Sequence, residues 1–172
     1  MRKVLIVLAA VVLVVGLWFY ASPSLALNGL KEAALAGDRD ALEQKVDFPS
    51  VRDSLKSQFK AKMVAEMAKD ENAENGFATL GMMIGFAMVD QMIDGIVSPD
   101  GMKAMIRNGR FTKPGEAGAE PAKPTEWIIE RDGLDKFRAR PKGEPADKVP
   151  MLVFKRDGLG WRLKSIDLVE GS

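Results

Sequence analysis

The stretch that decides the fold is the start of the chain, residues 2–21, which reads RKVLIVLAAVVLVVGLWFYA. Two basic residues, Arg2 and Lys3, precede an apolar run, residues 4–21, that contains no charge. As a helix this run is roughly 27 Å long, close to the hydrocarbon thickness of a bilayer, about 30 Å. The sequence therefore predicts a membrane-spanning helix over residues 4–21. Its N-terminus is expected in the cytoplasm, because basic residues favour that side of a span.

The same segment fits either a retained anchor or a cleaved signal, since both have a basic start followed by an apolar stretch. Its length favours an anchor, and so do Trp18 and Tyr20 at the outer end, because amphipathic rings prefer the headgroup layer. Ser24-Leu25-Ala26 has the small residues of a cleavage site and keeps the alternative open. We predict a single-pass protein with an exported C-terminal domain; the alternative is a soluble exported protein.

Composition excludes several classes of function. The chain has no Cys and no His, which excludes disulfides, thiol nucleophiles, cysteine or histidine metal sites and a Ser-His-Asp triad. Lys and Arg number 25 against 24 Asp and Glu, and Arg2 and Lys3 belong to the membrane segment, so the exported part has a net charge of about −1. No basic face for nucleic acid is predicted, and no cofactor is expected.

Residues 1–22 are predicted to form the transmembrane anchor or signal segment, and residues 23–172 one exported domain with its own core. Ser22-Pro23 is expected to end the membrane helix, because proline lacks the amide hydrogen that a continuing helix needs. A new helix is then predicted over residues 25–36. Residues 112–125 contain three prolines with glycines and alanines, which predicts a flexible loop.

Helical spacing predicts further helices before that loop. Asp38 fits the N-cap of a short helix to Lys45, and a longer helix is predicted from about Ser50 to Lys69. The next helix, residues 77–97, has no charge in its first thirteen residues, so it must be buried or face a partner or lipid. Its Gly81-x-x-x-Gly85 pair is interpreted as close packing on a neighbouring backbone. A short helix is predicted over residues 101–108.

After the loop the apolar pattern changes from helical to alternating, which predicts two hairpins joined at Asp-Gly turns. Arg-Asp-Gly-Leu occurs at both turns, residues 131–134 and 156–159, and is interpreted as shared turn chemistry. Trp161 and Ile166 are out of phase in the alternation, so a β-bulge is predicted near Ser165. The predicted strands are residues 127–131, 134–140, 149–156 and 161–169.

The first part of the chain resembles the bacterial domain-of-unknown-function family 2939. The residues that carry the resemblance are Ser22-Pro23, Gly37-Asp38, Leu42, Val46-Asp47-Phe48-Pro49, Arg52, Ser54-Leu55-Lys56 and Gln58. The resemblance implies a bacterial envelope protein, with the anchor in the inner membrane and the domain in the periplasm. It implies no catalytic residue, since none is established for the family. Within this stretch, Phe48 is predicted to be a core anchor, and Asp47 either to pair with Arg52 or to cap its helix.

The order of elements, helices and then a four-stranded antiparallel meander, predicts the α+β class. It is similar to an NTF2-like roll, in which a curved sheet wraps a helix; cystatin-like packing is the alternative. Such a likeness of fold does not determine function.

The favoured function is a non-enzymatic module that binds an apolar small molecule or an envelope protein. This prediction depends on the uncharged helix, which offers more apolar surface than an external helix needs, and on the aromatic residues of the sheet. The oligomeric state is not predicted. The candidate binding residues are Phe77, Met83, Phe86, Met88, Trp127, Phe137, Phe154 and Trp161.

Three other chemistries are weighed against simpler structural roles. Asp90 and Asp94 share a helix face and could bind a cation, but a helix that enters solvent is the favoured explanation, because no third acid is close in sequence. A carboxylate-dependent NTF2-like enzyme would need an inward acid, and the strands offer only Glu126, Glu130 and Asp167. Methionine-based copper binding is suggested by three pairs at helical spacing, which core packing also produces. These pairs are Met63 with Met67, Met88 with Met92, and Met102 with Met105.

Overall fold

A computed structural model gives the structure over residues 2–69, 76–102, 126–143, 145 and 149–168, with the backbone alone for residues 76–80 and 82. These ranges contain helices followed by strands, so the predicted α+β class is confirmed. The predicted loop 112–125 and residues 103–108 lie outside the described residues. The helices are α1 (Arg2–Ala36), α2 (Arg39–Lys45), α3 (Phe48–Met67) and α4 (Gly76–Ile96), and the strands are β1 (Trp127–Asp132), β2 (Lys136–Pro141), β3 (Met151–Asp157) and β4 (Gly160–Asp167).

Helix α1 is continuous over 35 residues. The predictions that Ser22-Pro23 ends it and that a new helix begins at residue 25 were therefore wrong. Pro23 has no amide hydrogen to give to the Phe19 carbonyl. The Ser22 hydroxyl donates to that carbonyl instead, at 3.0 Å. Because the freed acceptor has a new donor, the helix can continue past the proline.

The two halves of α1 lie in different surroundings. Its N-terminal half is exposed from Val4 to Trp18, and α1 alone among the described helices is long and apolar enough to cross a membrane. Its C-terminal half is part of the hydrophobic core, where Leu27, Leu30 and Ala34 are buried. One helix therefore contributes both the candidate membrane span and part of the core.

The next two helices begin at aspartate caps. The Ala41 amide donates to Asp38 at 3.0 Å, as predicted. The Ser50 amide donates to Asp47 Oδ1 at 3.1 Å, so α3 begins at Phe48, earlier than expected, with the proline in its first turn. Asp47 Oδ2 binds Lys164 Nζ at 2.6 Å. The cap is thus confirmed, whereas the alternative pairing of Asp47 with Arg52 was wrong.

The strands form one antiparallel sheet in the order β1-β2-β3-β4, which confirms the predicted meander. Asp132 pairs with Lys136, so the first turn has three residues between its strands instead of the expected two. The second turn contains Gly158 and Leu159 alone. Gly133 and Gly158 have φ angles of +80° and +58°, which favour glycine because a side chain is strained there.

The predicted bulge lies beside Ser165. Val153 pairs with Ser165 and Phe154 with Leu163, which leaves Lys164 as the extra residue in β4. This extra residue shifts the alternation by one. As a result Ile166, beyond the bulge, is buried on the same face as Leu163.

One face of the sheet packs against helices, and α3 lies along β4. The Asp47 amide at the start of α3 donates to the Leu163 carbonyl at 2.9 Å. Farther along α3, Gln58 Nε2 donates to the Ile166 carbonyl at 2.9 Å. Helix α4 packs against α3, and Ile93 near its end reaches the core. The predicted core anchor Phe48 is buried in the same core.

Candidate functional site

The structure places three of the eight predicted binding residues inside the core. The Phe137 and Phe154 rings stack with centroids 4.5 Å apart and planes 6° apart. Trp161 meets Phe137 edge to face, with centroids 4.9 Å apart and planes at 77°. All three side chains are buried between the sheet and the helices. They therefore form a packed aromatic cluster, a stabilising arrangement in its own right.

The other predicted residues lie elsewhere. Met83 and Met88 on α4 are 66% and 69% exposed. Phe86 is half-buried with Lys60 Nζ 5.7 Å from its ring centroid, and Trp127 is exposed at the start of β1. The side chain of Phe77 lies outside the described residues. The structure thus separates the predicted set into a core cluster, an α4 group and Trp127.

The exposed apolar residues of α4 lie on one half of the helix. At about 100° per residue, Met83, Ile84, Met88 and Met92 fall within a half-turn of the surface. All four are exposed, whereas Ile93 on the opposite side is buried. We call the four exposed residues the α4 face. Within the described part of the chain they are the largest apolar group outside α1 that shares one helix surface.

The pairing of α4 with α3 shows where the α4 face lies. Lys60 Nζ binds Asp90 at 3.2 Å, and Lys56 Nζ binds Asp94 at 2.8 Å. Gly85 lies so close to Met63 that a methyl group at Gly85 would be 2.9 Å from the Met63 Cε. Because α3 passes the last residues of β4 at Gln58, the part of α4 that precedes Asp90 lies beyond the far end of the sheet.

The acids that were weighed as catalytic or metal-binding groups are all engaged in other contacts. Asp90 and Asp94 bind different lysines, and the described residues contain no group of three metal-ligating acids. Glu130 pairs with Arg140 at 3.0 Å on the sheet surface. Glu126 and Asp167 are also exposed. No described carboxylate from the strands points into the core.

The methionines proposed for copper do not gather into one described cluster. Met63 packs against Gly85, and Met102 is buried in the core. Met88 and Met92 are exposed on the α4 face, and Met105 lies outside the described residues. The contact at Gly85 fits the interpretation of the glycine pair as close helix packing, whereas Gly81 faces open space.

A second candidate site, which the sequence did not predict, lies where α1 meets the sheet. Arg131 Nη2 donates to the carbonyls of Phe19 and Tyr20 at 3.0 and 2.6 Å. These carbonyls lie in the turn of α1 that Pro23 disrupts. Trp161 Nε1 donates to the Ser22 hydroxyl at 3.0 Å in a buried hydrogen bond. Sheet and helix are therefore joined through the groups around the proline.

The same junction stacks guanidinium groups on aromatic rings. Arg131 lies 5.2 Å from the Phe19 ring centroid, and Arg156 lies 4.9 Å from it. Arg156 is also 4.3 Å from the Trp161 centroid and 5.8 Å from that of Trp18. All four distances are within the range of cation–π attraction. Arg131 and Arg156 are the arginines of the two Arg-Asp-Gly-Leu turns. The repeated motif could therefore have identified these two site residues from the sequence.

Fold and sites together define a class: an α+β protein with one N-terminal helix long and apolar enough to span a membrane. Residues 12–105 match the family described as Protein of unknown function (DUF2939). The match covers more than half of the chain, so the protein belongs to this family, as the resemblance predicted. The sheet lies outside the matched residues. No curated protein and no solved structure matches the chain.

Proposed function

We propose that the protein is a single-pass protein of the bacterial inner membrane whose periplasmic domain binds a different protein of the envelope through the α4 face. In this proposal α1 is retained as the anchor and the domain is not an enzyme. The observation that carries it is the α4 face itself, four large apolar side chains left exposed on one helix. Exposed apolar groups of this kind mark interaction surfaces, and methionine adapts to the shape of a partner.

Burial around Pro23 supports retention of the anchor. Ser22 is 5% exposed and the Pro23 side chain is fully buried. Cleavage after Ala26 would remove both residues and would leave the buried Trp161 Nε1 without its acceptor. An unsatisfied buried donor costs about 1–3 kcal/mol. The folded domain therefore uses residues that a cleaved form would lack.

The position of the α4 face supports a protein partner over the lipid surface. The junction of α1 with the sheet lies at the β3–β4 turn, where Arg156 contacts Phe19. Helix α3 runs from Leu163 toward Leu168, away from that turn. The part of the α4 face that contains Met83, Ile84 and Met88 lies beyond this far end. It is therefore at the end of the domain opposite the anchor, in the compartment that the domain occupies.

The other predicted functions have less support. An apolar small molecule would need the aromatic residues to line a shared cavity, whereas Phe137, Phe154 and Trp161 pack against one another. The NTF2-like roll and its cystatin-like alternative stay predictions; the helix that lies along the sheet is α3 and not the uncharged α4. Enzymatic carboxylates and methionine-bound copper stay alternatives without a described cluster of ligands.

Site-specific photo-crosslinking tests the α4 face. A photoreactive amino acid replaces Met88 in the full chain, which is produced in the bacterium that makes the natural protein. Irradiation is expected to give one crosslinked product of higher mass. The control carries the same residue at Leu35, which is also an exposed apolar position on a helix. It should give no such product. A Met83→Ser substitution should weaken the Met88 product without changing the amount of folded protein, because surface substitutions rarely alter stability by more than about 0.5 kcal/mol.

Two results would contradict the proposal. Equal products at Met88 and Leu35 would show that crosslinking reflects mere exposure. A product with twice the chain mass of 18.8 kDa, containing this chain alone, would assign the α4 face to a second copy. Either result would contradict the proposed binding of a different protein to the α4 face.

A further inference from the structure

The two hairpin turns beside α1 form a second surface that the proposed function does not use. In an antiparallel meander, the β1–β2 and β3–β4 turns lie at the same end of the sheet. The Arg156 amide donates to the Asp135 carbonyl at 2.7 Å, which joins the end of β3 to the first turn. We call residues 131–138 and 155–162 the hairpin tips. They lie together next to the α1 turn that contains Phe19.

Each tip carries one leucine with almost no protein contact. Leu134 is 74% exposed and Leu159 is 81% exposed. Outside α1 they are the most exposed large apolar side chains in the described part of the chain. Each comes three residues after an arginine that stacks on a ring of α1. Burying both leucines in an apolar medium would therefore be favourable, because it removes their apolar surface from water.

The contacts of the two arginines show which residues of α1 the hairpin tips lie beside. Arg131 and Arg156 lie against Phe19, within two residues of the end of the apolar run at Ala21. Strands β1 and β3 continue past these arginines to their turns. The leucines therefore lie at least as far along the apolar run as the Trp18 and Tyr20 rings, which is the level of the membrane interface if α1 spans.

The charges of the tips fit a lipid surface as well. The two tips contain six basic residues, namely Arg131, Lys136, Arg138, Lys155, Arg156 and Arg162, against the three acids Asp132, Asp135 and Asp157. Hydrogen bonds from Lys136 and Arg138 lower the pKa of Asp132, so this acid is paired inside the cluster. The net positive charge is attracted by anionic headgroups.

We propose that the hairpin tips dock on the bilayer that holds α1, with Leu134 and Leu159 inserted at the boundary between headgroups and acyl chains. The inference rests on the proposed membrane anchor. The occupant is the lipid of that same membrane, because the leucines, the basic excess and the aromatic rings of α1 all meet at one level. The domain then contacts the membrane at three points: the span and two loops.

The absence of cysteine makes a depth measurement straightforward. Four full-length variants, each with one exposed leucine changed to cysteine and labelled with an environment-sensitive fluorophore, are placed in phosphatidylethanolamine–phosphatidylglycerol vesicles with nitroxide lipids. Leu134→Cys and Leu159→Cys are expected to be quenched most by shallow nitroxides, as for groups about 5–10 Å into the interface. Leu13→Cys should respond to deep nitroxides, and Leu35→Cys, at the far end of α1, to neither.

The same set separates the two proposals. If the tip labels behave like Leu35→Cys while Leu13→Cys is quenched, the docking of the tips is wrong and the anchor stands. If Leu13→Cys is not quenched, the anchor is wrong and the docking that rests on it falls too. Leucine-to-cysteine changes at these exposed positions leave the core contacts intact.

Discussion

Asp47 joins two parts of the domain through one carboxylate. Oδ1 accepts the Ser50 amide at the start of α3, and Oδ2 accepts the Lys164 ammonium in the bulge of β4. The hydrogen bond from Lys164, followed by that from the Ser50 amide, lowers the pKa of Asp47 to about 2. The sequence offered the cap as one of two alternatives, because aspartate is a preferred N-cap residue; the other was a pair with Arg52. It could not predict the lysine, which is 117 residues away.

The lowered pKa of Asp47 predicts a loss of stability in acid. The carboxyl group is easier to ionise when folded than when unfolded, so its contribution is complete above about pH 4 and is lost as the pH falls toward 2. Asp47→Asn should keep the cap but remove this dependence, lowering the free energy of unfolding at pH 7 by about 1–2 kcal/mol. Urea unfolding of the full chain in detergent at pH 7 and pH 3 measures both values.

Asp53→Asn is the matched control, since Asp53 lies on the same helix and makes no described contact with Lys164. The difference in stability between pH 7 and pH 3 should be smaller for Asp47→Asn than for this control. Equal differences in the two variants would mean that the Asp47–Lys164 pair adds nothing to the acid sensitivity of the fold.

At the level of elements, the aromatic cluster of the sheet and the α4 group should respond differently to truncation. Phe154→Ala removes a ring stacked in the core and should lower the free energy of unfolding by about 3–5 kcal/mol. Phe86→Ala removes a half-buried ring on α4 and should cost about 1 kcal/mol. Urea titration of both variants compares them directly. A larger loss for Phe86→Ala would mean that α4, and not the sheet, is the centre of the core.

The elements themselves were largely predictable, because local patterns determine them. Aspartate caps, alternating strands and the bulge beside Ser165 all follow from neighbours in the sequence. The failure at Pro23 has a physical cause: the proline does remove a helical hydrogen bond, but Ser22 and Arg131 replace it. The Ser22 contact is local, whereas Arg131 comes from a distant strand. A single sequence does not show that second donor.

The stability of the whole domain is expected to depend on how much of α1 a truncated form retains. A form that starts at residue 27 lacks Ser22 and Pro23. A form that starts at residue 21 keeps both residues but lacks the exposed apolar part of α1 that precedes them. We expect the shorter form to melt roughly 5–10 °C lower, because the Trp161 indole loses its buried acceptor. Thermal unfolding followed by circular dichroism compares the two forms. Identical melting temperatures would show that the residues around Pro23 add no stability and would weaken the argument for a retained anchor.

The arrangement of elements was harder to predict than the elements. The sequence identified the uncharged helix and the aromatic strands as unusual, but it placed them around one cavity. The structure pairs α4 with α3 through Lys60 and Asp90, and it fills the sheet face with its own rings. The two arginines of the repeated turns were visible in the sequence. Their common target, the Phe19 turn of α1, depends on the packing of helix against sheet and not on any local pattern.

The continuity of α1 through Pro23 has a geometric consequence for orientation. A domain joined to a membrane segment by a flexible linker can turn freely, but here the apolar run and part of the core belong to one helix. Each residue of an α-helix advances the direction of its side chain by about 100°. If α1 spans a bilayer, the angle between the α4 face and any given side of the span is therefore set by the helical phase between the span and Leu27. A second protein that packs on one side of the span would therefore meet the same side of the domain in every molecule.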